Sequence, residues 1–359
     1  MTSNKINITF VTPNLFAGGA ERVISFLAKE FNREKFNVTL VVFGYQKDAS
    51  YDIEGVNTIF FDKIRVLNGA FSMFKYLLKH KPDVVLSVIA HLNTVIAYQS
   101  VFFPKTKFIA REVSVLSVLD SFDQPQNWAL NILYKNRFKF FDAVICQSHD
   151  MLEDIQLNFK LDSKKLNIIH NPITNDFEVK TQLPKDNVLR CITIGRLSKE
   201  KGIDRVLIAL SKLSIPFHYT LIGKGSEKDR LFQLIKDLNL SDNVTCIDFT
   251  NDVGKYLAVN DVYLQGSFVE GFPNALVESC AVGTPFIAFS APGGLKDIFI
   301  ENKNGYIAEN ENQFIEYIQN IHTNNTFVPE LVSESVYSKF NKTKILKQYE
   351  DLIIKINDY

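Results

Sequence analysis

VTLVVF at 38–43 and DVVLSVI at 83–89 are apolar with no alternation between faces. A strand with one wet face alternates; one buried on both faces, inside a parallel sheet covered by helices, does not. Between such runs lie stretches of helical spacing. Ala20–Phe31 sets Val23, Ile24, Leu27 and Ala28 on one face, and Ile203–Leu213 does the same with Ile203, Val206, Leu207 and Leu210. A first series of predicted strands runs Ile6–Val11, Val38–Phe43, Thr58–Phe61, Val84–Ile89, Phe108–Ala110, Ala143–Gln147 and Asn167–Ile169, with a helix over Phe71–His80. A second opens near Leu189 with CITIG and continues through HYTLIG, Val244–Ile247, Val262–Gln265 and Pro285–Ala288, with helices over Leu231–Leu238 and Asn274–Ala281. Two such series predict two doubly wound α/β domains, and 359 residues are long for one core and comfortable for two. The expected limits are 1–172 for an N-terminal Rossmann-like domain, 173–187 for a polar hinge and 188–335 for a C-terminal Rossmann-like domain. A helical tail at 336–359 is free to cross back to the first domain.

Composition narrows the function. Lysine plus arginine and aspartate plus glutamate both total 40, so bulk attraction to nucleic acid is not indicated. Cys146, Cys191, Cys246 and Cys280 lie far apart in or beside apolar runs, with no CxxC pair, as expected of buried thiols in a reducing cytoplasm rather than of a metal or redox site. The amino terminus has no signal-peptide pattern, and no charge-free apolar run reaches the roughly 18 residues of a membrane span.

Three segments carry chemistry. In SFVEGFPNALVESCAVG, residues 267–283, Gly271 permits close backbone approach and Pro273 suits the first turn of a helix. Free amides at that helix start attract phosphate or sugar oxygens. Glu270 precedes the helix and Glu278 lies within it, seven residues between them. A capped helix with two surface glutamates would read the same way. In TIGRLSKEKGIDR, residues 193–205, a strand ends in a loop holding Arg196, Lys199 and Lys201 before a new helix. Cations there suit a diphosphate, although loop cations are commonly just solvated. In TPNLFAGGAERV, residues 12–23, Gly18 and Gly19 precede a helix without the GxGxxG spacing of a dinucleotide site.

Taken with YTLIGKGSEKDRL and EGFPNALVESCAVGTPFIA, these segments resemble the retaining glycosyltransferases of family four over nearly the whole chain, most specifically between Gly195 and Gly294. The resemblance implies the GT-B fold, in which two Rossmann-like domains face each other across a cleft, the first binding acceptor and the second nucleotide-sugar. It implies that Arg196 and Lys201 neutralise the donor diphosphate and that Glu270 holds hydroxyls of the donor sugar. Phe272, Pro273 and Asn274 would offer backbone amides, Glu278 would grip the ribose, and Gly18 and Gly19 would close over the phosphates. Nucleobase reading would fall to Cys246–Thr250. No cofactor or metal is called for, since the nucleotide-sugar is a substrate and no Asp-x-Asp motif is present.

The chain departs from the family pattern in places. Gly266 stands where a proline is usual, Thr250 where many members have glycine, and Arg111 with Glu112 where several have a histidine and an acid. Arg111, Glu112 and His91 are therefore the acceptor-side candidates. The function implied is retaining transfer, with UDP-sugar as donor, to a glycan or lipid-linked glycan of a surface polysaccharide. Rival readings are a sugar-nucleotide epimerase of the same fold and a non-catalytic nucleotide-binding module; a nicotinamide dehydrogenase lacks its motif here. Residues 71–81 and 128–141 interleave basic and aromatic side chains, as does a helix lying on a lipid surface or one facing a core with solvated lysines. The expected location is cytoplasmic, at the inner face of a membrane where those runs make contact.

Overall fold

The computed structural model describes residues 5–119, 128–181, 187–324 and 326–358, and side chains from Asn131 onward in the second of these segments. Among them, seven parallel strands form one sheet: β1 (Ile6–Thr12), β2 (Phe36–Val42), β3 (Asn57–Phe60), β4 (Val84–Val88), β5 (Lys107–Arg111), β6 (Ala143–Cys146) and β7 (Leu166–Ile168). Their order is β3-β2-β1-β4-β5-β6-β7, and every pairing is parallel. A second sheet of six is built from β8 (Leu189–Ile194), β9 (Phe217–Ile222), β10 (Val244–Ile247), β11 (Val262–Gln265), β12 (Phe286–Phe289) and β13 (Gly305–Ala308), ordered β10-β9-β8-β11-β12-β13 and again parallel.

The non-alternating runs behave as sheet centres must: β4 and β11 are buried at every position. The edge strand β10 is not. It leaves Cys246 exposed, whereas Cys146, Cys191 and Cys280 are buried, so the expectation of four buried thiols fails at the sheet edge.

In each sheet the chain winds outward on one side of its first strand and then returns to the other side. That reversal opens a crevice at the carboxyl ends of β1 and β4 in one domain, and of β8 and β11 in the other. The motif-bearing loops follow these strands.

Two compact units result, one holding described residues 5–117, 128–174 and 342–358, the other 118–119, 175–181, 187–324 and 326–341. Of the stretch expected as a hinge, residues 182–186 lie outside the described residues. Phe177 N–H donates to Tyr337 Oη at 3.2 Å and Lys180 N–H to Val282 O at 2.8 Å, so its earlier part is tied to the second unit. The tail is two helices, not one: Pro329–Phe340 belongs to the second unit and Lys342–Asn357 to the first, broken at Asn341, whose backbone is non-helical. Ile345, Tyr349, Leu352 and Ile353 of the last helix enter the same core as Phe10, Ile24 and Leu27. Each such burial is worth about 1.5–3 kcal/mol against exposure, which is enough to hold a terminal helix in place.

Candidate functional site

In the second domain the loops after β8 and β11 touch backbone to backbone. Gly202 has φ +54°, and a Cβ there would stand 2.1 Å from Gly266 O; one on Gly266 would stand 2.1 Å from Gly202 O. No side chain fits on either, which gives the glycine at 266 a steric reason. Phe268 N–H also donates to Glu200 O at 2.8 Å. This approach brings Lys201 onto Glu270: Nζ lies 2.7 Å from Oε1 and 2.8 Å from Oε2, and Ser267 Oγ donates to Oε1 at 2.6 Å. The Glu270 side chain is 10% exposed and that of Lys201 28%, so the pair is shielded yet reachable. From the far side, Glu270 N–H donates to Pro292 O at 3.0 Å, beside Gly293, where φ is +130° and a Cβ would meet Glu270 O at 2.4 Å.

The helix Asn274–Val282 begins directly after this loop. Pro273 is its cap rather than part of its first turn, one residue from expectation. The first amides of the helix have no acceptor within it, which leaves them to the loop and to ligands. Phe272 is buried, its ring edge-on to Phe340 at 5.0 Å between centroids, so its side chain is core and only its backbone can serve a ligand. Glu278 is buried within the helix. Both carboxylates bear on one phenol: Tyr263 of β11 is pushed up first by burial and then by the charge on Glu270, with a smaller push from Glu278. Its hydroxyl donates to Ile194 O at 3.1 Å, at the end of β8. Arg196 is exposed, and its side chain makes no hydrogen bond or ion pair with a described residue, although its carbonyl accepts from Ser198 N–H at 3.1 Å. The loop after β8 thus carries one committed cation, Lys201, and two exposed ones whose side chains have no described partner, Arg196 and Lys199; with the helix start after β11 this is the charge pattern that receives an anion.

In the first domain, Gly18 caps the helix Gly19–Glu30. Tyr51 clamps it: Gly18 N–H donates to Tyr51 Oη at 2.8 Å, and that hydroxyl donates to Gly18 O at 2.7 Å. Gly19 is exposed as the first helical residue. After β4, Ile89 has φ +73°, a backbone conformation that costs a β-branched residue on the order of 1–3 kcal/mol. His91 follows at the start of the helix Ala90–Ser100. Its ring keeps an open edge, while crowding by protein lowers its pKa below the ordinary value. It lines a cavity of about 470 Å³ together with Asn14, Tyr45, Asp48, Lys63 and Arg65.

Arg111 and Glu112 are placed otherwise than expected for acceptor contacts. Both are fully buried. Arg111 donates from Nε to Tyr349 Oη at 2.9 Å and from Nη2 to Asn171 Oδ1 at 2.5 Å. Glu112 Oε1 accepts from Asn93 Nδ2 at 2.9 Å and from the buried Arg137 Nη2 at 3.2 Å. These partners enclose the two side chains, so they brace the domain interior and His91 alone of the three reaches the surface.

Residues 175–334 match the model described as Glycosyl transferases group 1, and residues 17–177 that described as Glycosyltransferase Family 4. The chain belongs to the family-four glycosyltransferases. Among its relatives is an N-acetylgalactosamine-N,N'-diacetylbacillosaminyl-diphospho-undecaprenol 4-alpha-N-acetylgalactosaminyltransferase of Campylobacter jejuni, 27% identical over 319 residues, covering 84% of this chain and 85% of that one. Another is the O-antigen biosynthesis glycosyltransferase WclY of Escherichia coli, 27% identical over 230 residues, or 62% and 64% of the two chains. The solved Anabaena Alr3699/HepE in complex with UDP-glucose superposes with a TM-score of 0.81 at 19% identity, over 98% of this chain and 100% of that one, which shows a shared GT-B fold.

This glycosyltransferase also uses a residue that its sequence does not announce. Arg205 lies one turn into the helix after Gly202 and donates from Nε to Gly266 O at 2.5 Å and from Nη2 to Ser267 O. Its guanidinium sits over the rings of Phe268 at 4.1 Å and Phe289 at 4.2 Å, and burial brings its pKa down to about 10. It holds in place the loop that carries Glu270. The one available signal was its position at the end of GIDR, next to a glycine-bound loop.

Proposed function

We propose that this glycosyltransferase moves a sugar, with retention, from a UDP-sugar to a glycan or lipid-linked glycan during surface polysaccharide assembly, and that it does so without a metal. The observation that carries the reading is the Lys201–Glu270 pair at the crevice of the second domain, on the same loop as exposed Arg196. Breaking the sugar–diphosphate bond builds positive charge on the sugar and negative charge on the leaving phosphate. Fixed cations and helix amides aimed at the second charge are the largest source of stabilisation open to such a site. Arg196, Lys201 and the start of the helix at Asn274 have that role here, which leaves a metal nothing to add. Glu270 positions donor hydroxyls, and Lys201 holds its carboxylate in place. Glu278 serves the ribose, Gly18 and Gly19 the phosphates, and His91 the acceptor. In a retaining displacement from the face of the departing phosphate, that phosphate takes the acceptor's proton, so no protein base is required.

The acceptor class follows the C. jejuni relative, whose name specifies a diphospho-undecaprenol acceptor, and the O-antigen relative. UDP follows the fold neighbour solved with UDP-glucose. Work at the cytoplasmic face of a membrane fits such an acceptor. Glu270→Ala is expected to lower transfer by at least about a hundredfold, the scale of one lost electrostatic or positioning group, while nucleotide still binds. Radiolabelled sugar transfer with EDTA present, alongside nucleotide titration, measures both. Full transfer by the variant removes Glu270 from the mechanism, and loss of all activity in EDTA removes metal independence.

A further inference from the structure

β13 ends its sheet, with β12 on one side and no strand among the described residues on the other. Phe286 N–H donates to Asn304 O at 3.1 Å and Ser290 N–H to Ala308 O at 2.8 Å. In a parallel ladder a residue turns both of its main-chain groups to one side, and the side alternates along the strand. Gly305 and Ile307 therefore face away from β12. Their N–H groups have no acceptor among the described residues, so this edge keeps unmet donors and acceptors.

That edge borders a cavity of about 430 Å³, within the range of roughly 300–1,000 Å³ for small-molecule sites. Gly305 and Ile307 line it, together with Phe299 and with Tyr317 from the helix Glu311–Asn324. Tyr317 lies flat on Tyr306 of β13, with ring centroids 4.5 Å apart and planes 12° from parallel. Phe327 meets Tyr306 edge-on at 5.2 Å and fixes the pair from behind. Tyr306 Oη accepts from Asn320 Nδ2 at 3.2 Å, whereas the Tyr317 hydroxyl has no partner among the described residues.

The rim of the cavity is acidic. Glu301 and Glu309 are exposed and form no ion pair with a described residue, and they outnumber the one lysine of the lining, Lys296. A diphosphate would be repelled here. The donor crevice, at the end of β11 two strands away, has the opposite character, with Lys201 and a helix start.

We infer that this cavity binds an uncharged sugar residue, at a site separate from both crevices. A pyranose ring has C–H faces that stack on an aromatic ring and a rim of hydroxyls that both donate and accept. Tyr317 supplies the ring. Glu301, Glu309 and the outward carbonyls accept, while Ile307 N–H and the Tyr317 hydroxyl donate. An organic cation would use the carboxylates and the rings but leave those donors unmet. An extended peptide would find only two outward residues on a strand of four. The ligand class follows from this cavity alone and does not rest on the proposed transfer.

Saturation-transfer NMR tests it, with the methyl glycosides of glucose, galactose, N-acetylglucosamine and N-acetylgalactosamine at millimolar concentration. At least one is expected to bind the wild-type protein saturably, and to bind Glu270→Ala equally well. Tyr317→Leu keeps apolar bulk on the helix and should weaken that binding about tenfold or more, the loss of an aromatic anchor. Glu309→Gln is exposed and conservative, so it should keep the wild-type melting temperature and weaken binding about threefold or more. No saturable binding of any of the four overturns the inference, as does binding undiminished in both variants or lost in Glu270→Ala. Stronger binding of tetramethylammonium or glucose 1-phosphate than of the glycosides overturns it as well. Because binding is read and not transfer, a chain that transfers sugar but binds no glycoside here sinks the inference alone. One that binds a glycoside through Tyr317 yet transfers nothing upholds the inference and sinks only the proposed function.

Discussion

Arg205 and Glu270 divide the labour of the second-domain loop: one holds its backbone and the other presents a charge. Two carbonyls, Gly266 O and Ser267 O, lean on one guanidinium packed between Phe268 and Phe289. Arg205→Met keeps the apolar contacts and removes both charge-assisted hydrogen bonds. The expected loss is about 2–4 kcal/mol of folding stability, since hydrogen bonds to charged groups contribute about 1.5–3 kcal/mol each and are not additive. Turnover should fall further than donor affinity, because what loosens is the aim of Glu270. Arg205→Lys should recover part of both. Urea unfolding together with a kcat and KM comparison checks this; a midpoint equal to wild type with normal turnover would reduce Arg205 to a surface cation. Motif reading singles out Glu270 and Lys201, which the structure brings together, because the chemistry proposed for them lies in residue type and spacing. It passed over Arg205 because that residue works through carbonyl oxygens, which every residue has.

The last helix, Lys342–Asn357, closes the first domain's core and carries Tyr349 to Arg111, a residue 238 positions earlier. Tyr349→Phe keeps the ring and deletes the acceptor of Arg111 Nε inside the protein. Leaving a buried donor unmet costs about 1–3 kcal/mol, so the first unfolding transition in guanidinium should come earlier by that amount; an unchanged transition would mean that water takes over the bond. Long-range contacts of this kind explain what was hard to read locally. The strand-end position of Arg111 and Glu112 was legible, but their burial depends on Tyr349, Asn171 and Arg137, which no spacing ties to them. Central strands declared themselves as apolar runs, while β13, only GYIA, did not. Its glycine packs so tightly that a Cβ would stand 2.3 Å from Phe286 O, a need invisible in a four-residue string. The helix Ala90–Ser100 also went unread, because its buried and open positions make no clean stripe. The break at Asn341 was hidden by an apolar period that runs through it.

At the scale of the whole molecule, two doubly wound sheets each offer a crevice at the strand reversal, and their contents differ. The first domain's crevice holds a clamped glycine loop, a strained Ile89 and His91; the second holds Arg196, Lys201, Glu270 and a helix start. That asymmetry is what the proposed division into an acceptor side and a donor side calls for, and the proposed donor side makes the stronger chemical statement. Thermal shift of the whole chain against UDP, GDP, ADP, NAD and their common sugar conjugates, without added metal, tests it most directly. At a hundred times its dissociation constant, a bound nucleotide adds about 2.7 kcal/mol of stability. A shift confined to UDP and its sugars, and much reduced in Lys201→Ala, is the predicted result. No shift with any nucleotide, a shift with NAD alone, or an undiminished shift in the variant would contradict the assignment of the donor site.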